Sequence, residues 1–339
     1  MRIHHAQPGM VLAQDVVDNS GTLLLEKGIA LTETYIQRLK KIGIVQIRIQ
    51  DGQAATLKQQ KVIPDELRTE LELCFRALFS LQSSRLSSSK LTGLYFRQVS
   101  RSLETVIEET EKQFDRILNV QIRQPSENEM IHSINVCLMS LVTGIALGFS
   151  RLELHDLALG ALLHDIGKSF LPKAPQNKTA TLDLHTLYGR NLLLQNHLSP
   201  TVARIAAEHH EAHDGSGFPK GLKGPQLHPS SQIVHIANYF DNSLTLAAER
   251  GIPFHEVMEG IMAKGNTVFP LKLLQTFTSC MPIYPVGSLV LLSNEKTAYV
   301  MKNQPHFPLH PLVRVSDDFQ EEIDLSAHRA ITIKEVIEE

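Results

Sequence analysis

Histidines are concentrated in one part of this chain. Ten of its 16 histidines lie between residues 126 and 241. Four of these stand in apolar stretches or on the apolar side of a helical pattern: His132, His164, His185 and His209. His164 is followed directly by Asp165, and imidazole together with carboxylate is a ligand set for manganese, iron, zinc or nickel. A site that holds two such ions suits the hydrolysis of a phosphodiester.

Two other interpretations compete with a phosphodiesterase metal site. Taken singly, each histidine is explained as a core residue with one hydrogen bond, because burial lowers the pKa of histidine and keeps it neutral. The set as a whole is harder to explain in that way. A zinc-protease helix is the second alternative, since His209 and His213 are four residues apart. That motif requires glutamate directly after its first histidine, whereas this chain has His210 there and its acid at Glu211, so we exclude it.

A glycine-rich turn follows the two adjacent histidines. The sequence Asp214-Gly-Ser-Gly-Phe-Pro219 cannot continue a helix. Gly215 and Gly217 permit backbone conformations that a Cβ would forbid, and Pro219 restricts the exit from the turn. We interpret the segment as a loop that borders the histidine cluster rather than as a plain surface turn.

In order along the chain, these blocks resemble the HD-GYP subgroup of the HD phosphohydrolases. The matching residues are His132, His164-Asp165-Ile-Gly-Lys168, His185 and the run from His209-His210-Glu to Phe-Pro219. The resemblance covers about residues 126–282. It implies an all-helical, metal-dependent domain whose usual activity is hydrolysis of the bacterial messenger cyclic-di-GMP to pGpG and/or GMP. The flanking stretches PGMVLAQDVV and YPVGSLVLLS are similar to modules that accompany this domain.

The resemblance also implies a role for each matching residue. It implies two divalent transition metals, iron or manganese rather than zinc or nickel, with Asp165 bridging them. The first metal would have the ligands His132, His164, Asp165 and Asn238. The second would have the ligands Asp165, His185, His209 and His210. The substrate-binding positions would be Lys168, Gly217, Phe218 and Arg250. Asp165 and Lys168 would be catalytic, with the lysine stabilising charge that develops on the phosphate; the alternative for Lys168 is a cation that ends a helix.

Several positions depart from the family pattern. Asn238 stands where the family has an acidic ligand, so the first metal would be held more weakly and the activity would be reduced. Phe218 replaces a tyrosine, Asn128 a glutamate found in three-metal members, and Ala247 one of two basic residues. An alternative therefore stays open, in which the domain is partly degenerate and acts as a nucleotide receptor or as an adaptor for diguanylate cyclase partners. An HD enzyme for another nucleotide is disfavoured by the long glycine loop.

The elements around these motifs divide the chain into four predicted segments. Residues 1–52 read as a small N-terminal α/β module with a helix that ends at Gly43, and residues 53–123 as a helical linker. Residues 124–282 form the HD-GYP domain, opened by a capping box from Ser126 to Glu129. Residues 283–339 show strand patterns and form a small C-terminal β module. The predicted fold class is mainly α, with an all-helical HD-type phosphohydrolase domain between the two small modules.

Composition limits the partners and the compartment. The formal net charge is −3, so we expect no polynucleotide, and a small ligand or a protein partner fits better. The longest apolar stretch, residues 136–149, is too short to span a bilayer, so we expect no membrane partner. The three cysteines Cys74, Cys137 and Cys280 suit reduced thiols in a cytoplasmic protein. The first residues lack the pattern of a signal peptide. From the resemblance, we expect the loop 215–219 to contact diguanylate cyclase (GGDEF) domains, and a homodimer is a further expectation.

Overall fold

The structure is a computed structural model, and its residues divide into two compact units. One unit comprises residues 1–60 and 284–339, and the other comprises residues 61–283. The structure describes residues 23–44, 89–114, 128–170, 178–250, 254–281, 286–304, 307–316 and 321–338. It also describes short pieces before residue 23 and between these ranges.

The first unit contains two short strands, a helix and a five-stranded sheet. The strands β1 (Val16–Val17) and β2 (Leu23–Leu25) pair in antiparallel fashion, and α1 (Glu33–Ile42) follows them. Thr32 caps the start of α1, and Gly43 ends it at φ 89°, the end that the sequence predicts. The sheet has the strand order β8-β7-β6-β5-β9. Its strands are β5 (Leu289–Leu292), β6 (Thr297–Lys302), β7 (Leu312–Val315), β8 (Glu322–Asp324) and β9 (Ile333–Glu338).

The hydrophobic core of this unit joins the two ends of the chain. Leu12 and Ile36 are buried in one cluster with Ile337 of β9, and Leu289 and Leu291 of β5 pack against that cluster. The sequence pattern treats the two ends as separate modules, and the structure makes them one packed body. The third predicted strand of the N-terminal module, IVQIRI, lies largely outside the described residues.

The second unit is helical in the part of the chain that the structure describes. Two-residue strands, β3 (Gln60–Lys61) and β4 (Val120–Gln121), flank its first long helix. Short 3-10 turns occur at Ile166–Phe170 and Gly224–Gln226. Its helices are α2 (Ser89–Lys112), α3 (Glu129–Ala146), α4 (Arg151–Leu162), α5 (Lys178–Gln195), α6 (Pro200–Glu208), α7 (Pro229–Arg250), α8 (Phe254–Met262) and α9 (Leu271–Cys280). The mainly helical fold with a small β module is thereby confirmed.

Helix α3 is the central helix of this unit. Its length and composition alone would allow it to cross a membrane, but 78% of its 18 residues are buried inside the fold. A helix that is apolar on all sides and buried is a core helix. Because α3 also carries His132, the packing of this core helix sets the position of the first predicted ligand.

The start of α3 differs from the prediction. Asn128 is the N-cap, and its side-chain oxygen accepts a hydrogen bond from the backbone N–H of Met130 at 2.9 Å. The capping box predicted from Ser126 to Glu129 was therefore wrong, because the helix begins two residues later than that box requires; Ser126 itself lies outside the described residues. Asn128 thus has a structural role at the position where a third metal would need a carboxylate.

Candidate metal centre

Six of the seven predicted ligands lie within four helices or directly after them. His132 lies near the start of α3 and His185 lies within α5. His164 and Asp165 follow directly after the end of α4, and His209-His210 follow directly after α6. The backbone of a ligand that directly follows a helix is less constrained than that of a residue within the helix. The helix itself fixes the position at which the ligand segment begins.

Close packing beside Asp165 brings two of these segments together. Gly167 lies against α5 so closely that a Cβ there would overlap the backbone carbonyl of His185. Only glycine allows this approach. The 3-10 turn that follows Asp165 therefore rests directly on the helix that carries His185.

The structure brings six predicted ligands into two overlapping groups. In each group, one nitrogen or oxygen of every member lies within 4.8 Å of the others. The first group is His132, His164 and Asp165, and the second is Asp165, His185, His209 and His210. Asp165 belongs to both groups, as a bridging carboxylate must.

Hydrogen bonds fix which ring nitrogen of the histidines faces the cluster. His164 Nδ1 donates to the carbonyl of Ala161 at 2.7 Å, and His209 Nδ1 donates to the carbonyl of Ala206 at 3.0 Å. Each bond is made to the preceding helical turn. With the proton held on Nδ1, Nε2 keeps its lone pair and can act as a ligand atom.

His132 is oriented by a buried carboxylate that sequence reasoning did not assign. His132 Nδ1 lies 2.7 Å from Asp241 Oδ2, and Asn135 Nδ2 donates to Asp241 Oδ1 at 3.1 Å. Asp241 is 1% exposed. A carboxylate behind a ligating histidine is a recurrent arrangement in metal sites, where it sets the tautomer and raises the basicity of the ligand. The only sequence signal was the position of Asp241 three residues after Asn238.

The electrostatics of the cluster favour cation binding. Burial alone would raise the pKa of Asp165, but the surrounding imidazoles, of which His164 has the largest effect, hold it well below its usual range. Burial lowers the pKa of His209 to about 3, and it also lowers the pKa of His210. At neutral pH the cluster therefore combines the Asp165 anion with the neutral imidazoles of His209 and His210, the protonation states that metal ligands require.

The spacing of the donor atoms fits a metal ion. Asp165 Oδ1 lies 3.3 Å from His185 Nε2 and 3.5 Å from His209 Nε2, and the two Nε2 atoms are 3.3 Å apart. Ligands bound at about 2.0–2.2 Å around one ion are separated by about 3–3.5 Å. Among the described residues, His164 Nε2 and Asp165 Oδ1 are buried without a hydrogen-bond partner. Such orphaned buried acceptors need a cation or a donor, and the donor set fits a metal ion.

Lys168 lies at the edge of the cluster. Its ammonium is 2.7 Å from Asp165 Oδ2 and 3.8 Å from Glu129 Oε1. Burial lowers the pKa of Lys168, but the two carboxylates outweigh this and raise it above its ordinary value. The side chain is 32% exposed, so a charged ammonium is available to a ligand that enters from solvent.

The glycine loop lies directly on His210. The ring of Phe218 stacks on the imidazole of His210, with ring centroids 4.5 Å apart and an interplanar angle of 22°. A Cβ on Gly217 would overlap the carbonyl of His210 and the amide of Ala212. The glycine loop thus borders the histidine cluster, as predicted. The rings of Phe218 and His210 are stacked, and the backbone at Gly217 packs against that of His210 and Ala212.

Two further predicted positions, Asn238 and Arg250, lie on helix α7. Asn238 is buried in α7, and its side-chain oxygen accepts a hydrogen bond from Asn242 Nδ2 at 2.8 Å. Its function as a ligand stays a prediction. Arg250 is exposed at the last position of α7, about 18 Å of helix beyond Asn238, and its function in substrate binding also stays a prediction.

Comparisons with known proteins agree with this geometry. The family model described as HD domain matches residues 112–251. The cyclic di-GMP phosphodiesterase PA4108 of Pseudomonas aeruginosa is 25% identical over 75% of this chain and 64% of its own length. The 3′3′-cGAMP-specific phosphodiesterase 3 of Vibrio cholerae is 34% identical over 38% of this chain and 28% of its own length. The chain thus spans less than two thirds of these relatives.

One solved structure aligns over most of this chain. The HDG"Y"P protein Bd1817 of Bdellovibrio bacteriovorus is 18% identical and aligns over 82% of this chain and 97% of its own, with a TM-score of 0.48. The HD-domain match, the cyclic-dinucleotide phosphodiesterase relatives and the ordered histidine blocks around one carboxylate agree with one another. Together they support an HD-GYP domain protein, with an HD-domain match over residues 112–251.

Proposed function

We propose that this protein is a metal-dependent phosphodiesterase that hydrolyses cyclic-di-GMP to pGpG, to GMP or to both. The observation that supports this most strongly is the membership of Asp165 in both donor groups. One carboxylate shared by two histidine groups is the arrangement of a dinuclear site, and dinuclear sites suit displacement at phosphorus.

Each donor group has a proposed ion. His132, His164 and Asp165 would hold the first, with the side-chain oxygen of Asn238 as a further donor. Asp165, His185, His209 and His210 would hold the second. Iron or manganese suits such imidazole and carboxylate ligands. When bound, the two ions supply Lewis-acid activation of the phosphodiester and of the attacking water.

The residues of the chain contribute orientation and charge. The backbone carbonyls of Ala161 and Ala206 keep the protons of His164 and His209 on Nδ1, so that both Nε2 atoms stay available. Lys168 offers an ammonium next to Asp165, where it would stabilise negative charge that grows on the phosphate oxygens during displacement. Glu129 lies close enough to compete for that ammonium before substrate arrives.

The choice of cyclic-di-GMP rests on relatives that are cyclic di-GMP phosphodiesterases, such as PA4108. The Vibrio cholerae relative that is specific for 3′3′-cGAMP makes this second cyclic dinucleotide the candidate to test beside it. Both are cyclic dinucleotides with phosphodiester bonds, so the same metal chemistry would serve either.

A receptor or adaptor is the alternative function. Asn238 brings no charge to the first group, and its oxygen already accepts a hydrogen bond from Asn242. In that case the domain would bind the nucleotide without hydrolysing it, and the loop 215–219 would contact a diguanylate cyclase (GGDEF) domain.

The proposal also includes a location and an oligomeric state. A cytoplasmic location suits the buried free cysteines of the protein, Cys137 and Cys280. The proposed oligomer is a homodimer.

The decisive experiment combines metal analysis with hydrolysis. Protein purified without chelator should carry close to two transition-metal ions, and it should hydrolyse cyclic-di-GMP in an assay run beside 3′3′-cGAMP. The double variant His209→Ala/His210→Ala should lose one ion and its activity. His213→Ala is the matched control, because this nearby histidine belongs to neither donor group, and it should keep both ions.

The outcomes separate the alternatives. Metal-free protein that hydrolyses the substrate would contradict the metal-dependent mechanism. Metal-loaded protein that binds cyclic-di-GMP without hydrolysis would establish the receptor function. Hydrolysis of 3′3′-cGAMP alone would reassign the substrate while leaving the mechanism in place.

A further inference from the structure

Glu211 is a buried carboxylate that directly follows the ligand pair. It is 1% exposed. Both of its oxygens accept backbone hydrogen bonds: Oε1 from the N–H of Lys220 at 2.7 Å and Oε2 from the N–H of Leu222 at 2.9 Å. The two donors lie nine and eleven residues further along the chain. A single side chain therefore ties the start of the glycine loop to its end.

Burial of the Glu211 carboxylate has a cost in free energy. A buried carboxylate is unfavourable unless hydrogen bonds compensate for its lost hydration. Two short bonds from backbone N–H groups to an anion are of the stronger, charge-assisted kind. Neutral side chains would avoid the cost but would not hold two amides at once, so the carboxylate specifies one conformation of the loop 212–222.

That conformation presses the middle of the loop onto His210. Phe218 N donates to the carbonyl of His210 at 3.2 Å, and the Phe218 ring covers the imidazole. Gly217 has no side chain to separate the two backbones. The imidazole of His210 thus contacts the loop through the Phe218 ring. Its centroid also lies 4.1 Å from that of the His209 ring.

A second carboxylate, on the other side of the histidine pair, supports the same path. Glu208 Oε2 accepts from the backbone N–H of His228 at 3.3 Å, and its Oε1 accepts from Arg204 Nε at 2.6 Å. Arg204 also reaches the carbonyl of Gln226. Glu208 anchors the chain after the loop has ended, whereas Glu211 acts on the loop itself.

We propose that Glu211 is a positioning residue for the second donor group. Its carboxylate holds the loop 212–222 against the histidine pair, and the loop in turn fixes the orientation of the His210 imidazole toward Asp165 and His185. The inference rests on the proposed function only in taking His210 as a metal ligand. It is independent of which nucleotide is hydrolysed, or of whether any is.

The test uses Co²⁺ binding to metal-free protein. The visible absorption of bound Co²⁺ reports coordination geometry, and a titration reports the affinity of each binding step. The variant His210→Ala identifies the step that belongs to the second group. In Glu211→Gln, that step should weaken about 10–100-fold, the usual effect of losing an outer hydrogen-bond partner, and its absorption bands should shift. The other step should be unchanged.

Amide hydrogen exchange provides the second readout. An amide side chain has one acceptor oxygen and cannot serve both N–H groups, so exchange at Lys220 and Leu222 should become faster in Glu211→Gln. The matched control is Asp214→Asn. Asp214 accepts from Ser216 N at 2.9 Å at the exposed tip of the same loop. This control should leave the Co²⁺ spectrum and the exchange at Lys220 and Leu222 unchanged.

The results that would overturn the inference are specific. Unchanged Co²⁺ binding in Glu211→Gln would refute it, and so would equal weakening of both steps, because that indicates a general loss of structure. If Glu211→Gln does not fold, Gly217→Ala takes its place. That variant should weaken the same step while Lys220 and Leu222 stay protected, and wild-type Co²⁺ binding there would refute the inference. Neither measurement uses turnover, so an inactive protein still tests it.

Discussion

The ammonium of Lys168 lies 2.7 Å from Asp165 Oδ2, on the carboxylate that both donor groups share. One cation of the chain thus stands beside the position where two metal cations are proposed. A residue so placed can neutralise part of the charge on Asp165 before substrate arrives and meet a phosphate afterwards.

Lys168→Ala tests the second of these functions. We expect metal content to stay nearly constant and turnover to fall by roughly 10²–10³, the scale for losing one electrostatic contact to a developing oxyanion. Turnover at saturating substrate and metal is the measurement, with Lys272→Ala on α9 as an exposed-lysine control. An unchanged rate would make Lys168 a helix-end cation only.

Asn238→Asp tests whether the first donor group is incomplete. Asp restores a charge at almost constant volume, and its oxygen can still accept the hydrogen bond from Asn242. We expect tighter binding of the first ion and faster hydrolysis of cyclic-di-GMP at limiting manganese, because a carboxylate is a better ligand than an amide. Wild-type protein that is already fully loaded and active, with no gain in the variant, would show that asparagine suffices.

Asp241→Asn tests the orientation of His132. An amide offers one acceptor oxygen, so it cannot serve both His132 Nδ1 and Asn135 Nδ2. We expect the affinity of the first donor group for Mn²⁺ to fall about 10–100-fold, measured by calorimetry on metal-free protein. Asp324→Asn in the other unit makes the same chemical change at a carboxylate that belongs to neither donor group, and it should have no effect on either step.

The metal-free protein should lose stability in acid because of His209. Its pKa is lowered from 6.5 to about 3, chiefly by burial. Between about pH 6.5 and pH 3 the unfolded chain binds a proton there that the folded chain does not, so the free energy of unfolding falls as pH falls. One such group contributes a slope of at most about 1.4 kcal/mol per pH unit. The lowered pKa of His210 acts in the same direction.

Urea unfolding followed by circular dichroism measures this slope. His209→Gln removes one titrating group and should flatten the dependence over that range. The exposed His328→Gln is the control and should leave the slope as it is. Equal slopes in His209→Gln and in the unaltered protein would contradict the assignment of His209 as a buried neutral imidazole.

Local patterns predicted much of this fold and site. Helical periodicity and the stop at Gly43 are both encoded within a few residues, and the structure has them. The histidine blocks could be recognised because residue type and order together are specific. Whether Asn238 and Arg250 act as predicted is still to be tested.

Features that depend on distant residues escaped the sequence. The partners His132 and Asp241 are 109 positions apart, and no local signal connects them. The function of Glu211 depends on amides beyond a turn whose path is set by Gly217 and Phe218. The helix start at Asn128 was missed for a different reason, because Ser126 satisfied the same short pattern two residues earlier.

The shared core of the two chain ends has a consequence for biosynthesis. Leu12 leaves the ribosome 325 residues before Ile337. At a translation rate of about 5–20 residues per second, the delay is on the order of tens of seconds. During that time the apolar face of the first strands has no native cover, while the helical unit between them can fold. A nascent chain that stops before β9 would expose this face to proteases and chaperones. The last strand therefore makes stable folding of the first segment conditional on translation having passed Ile337.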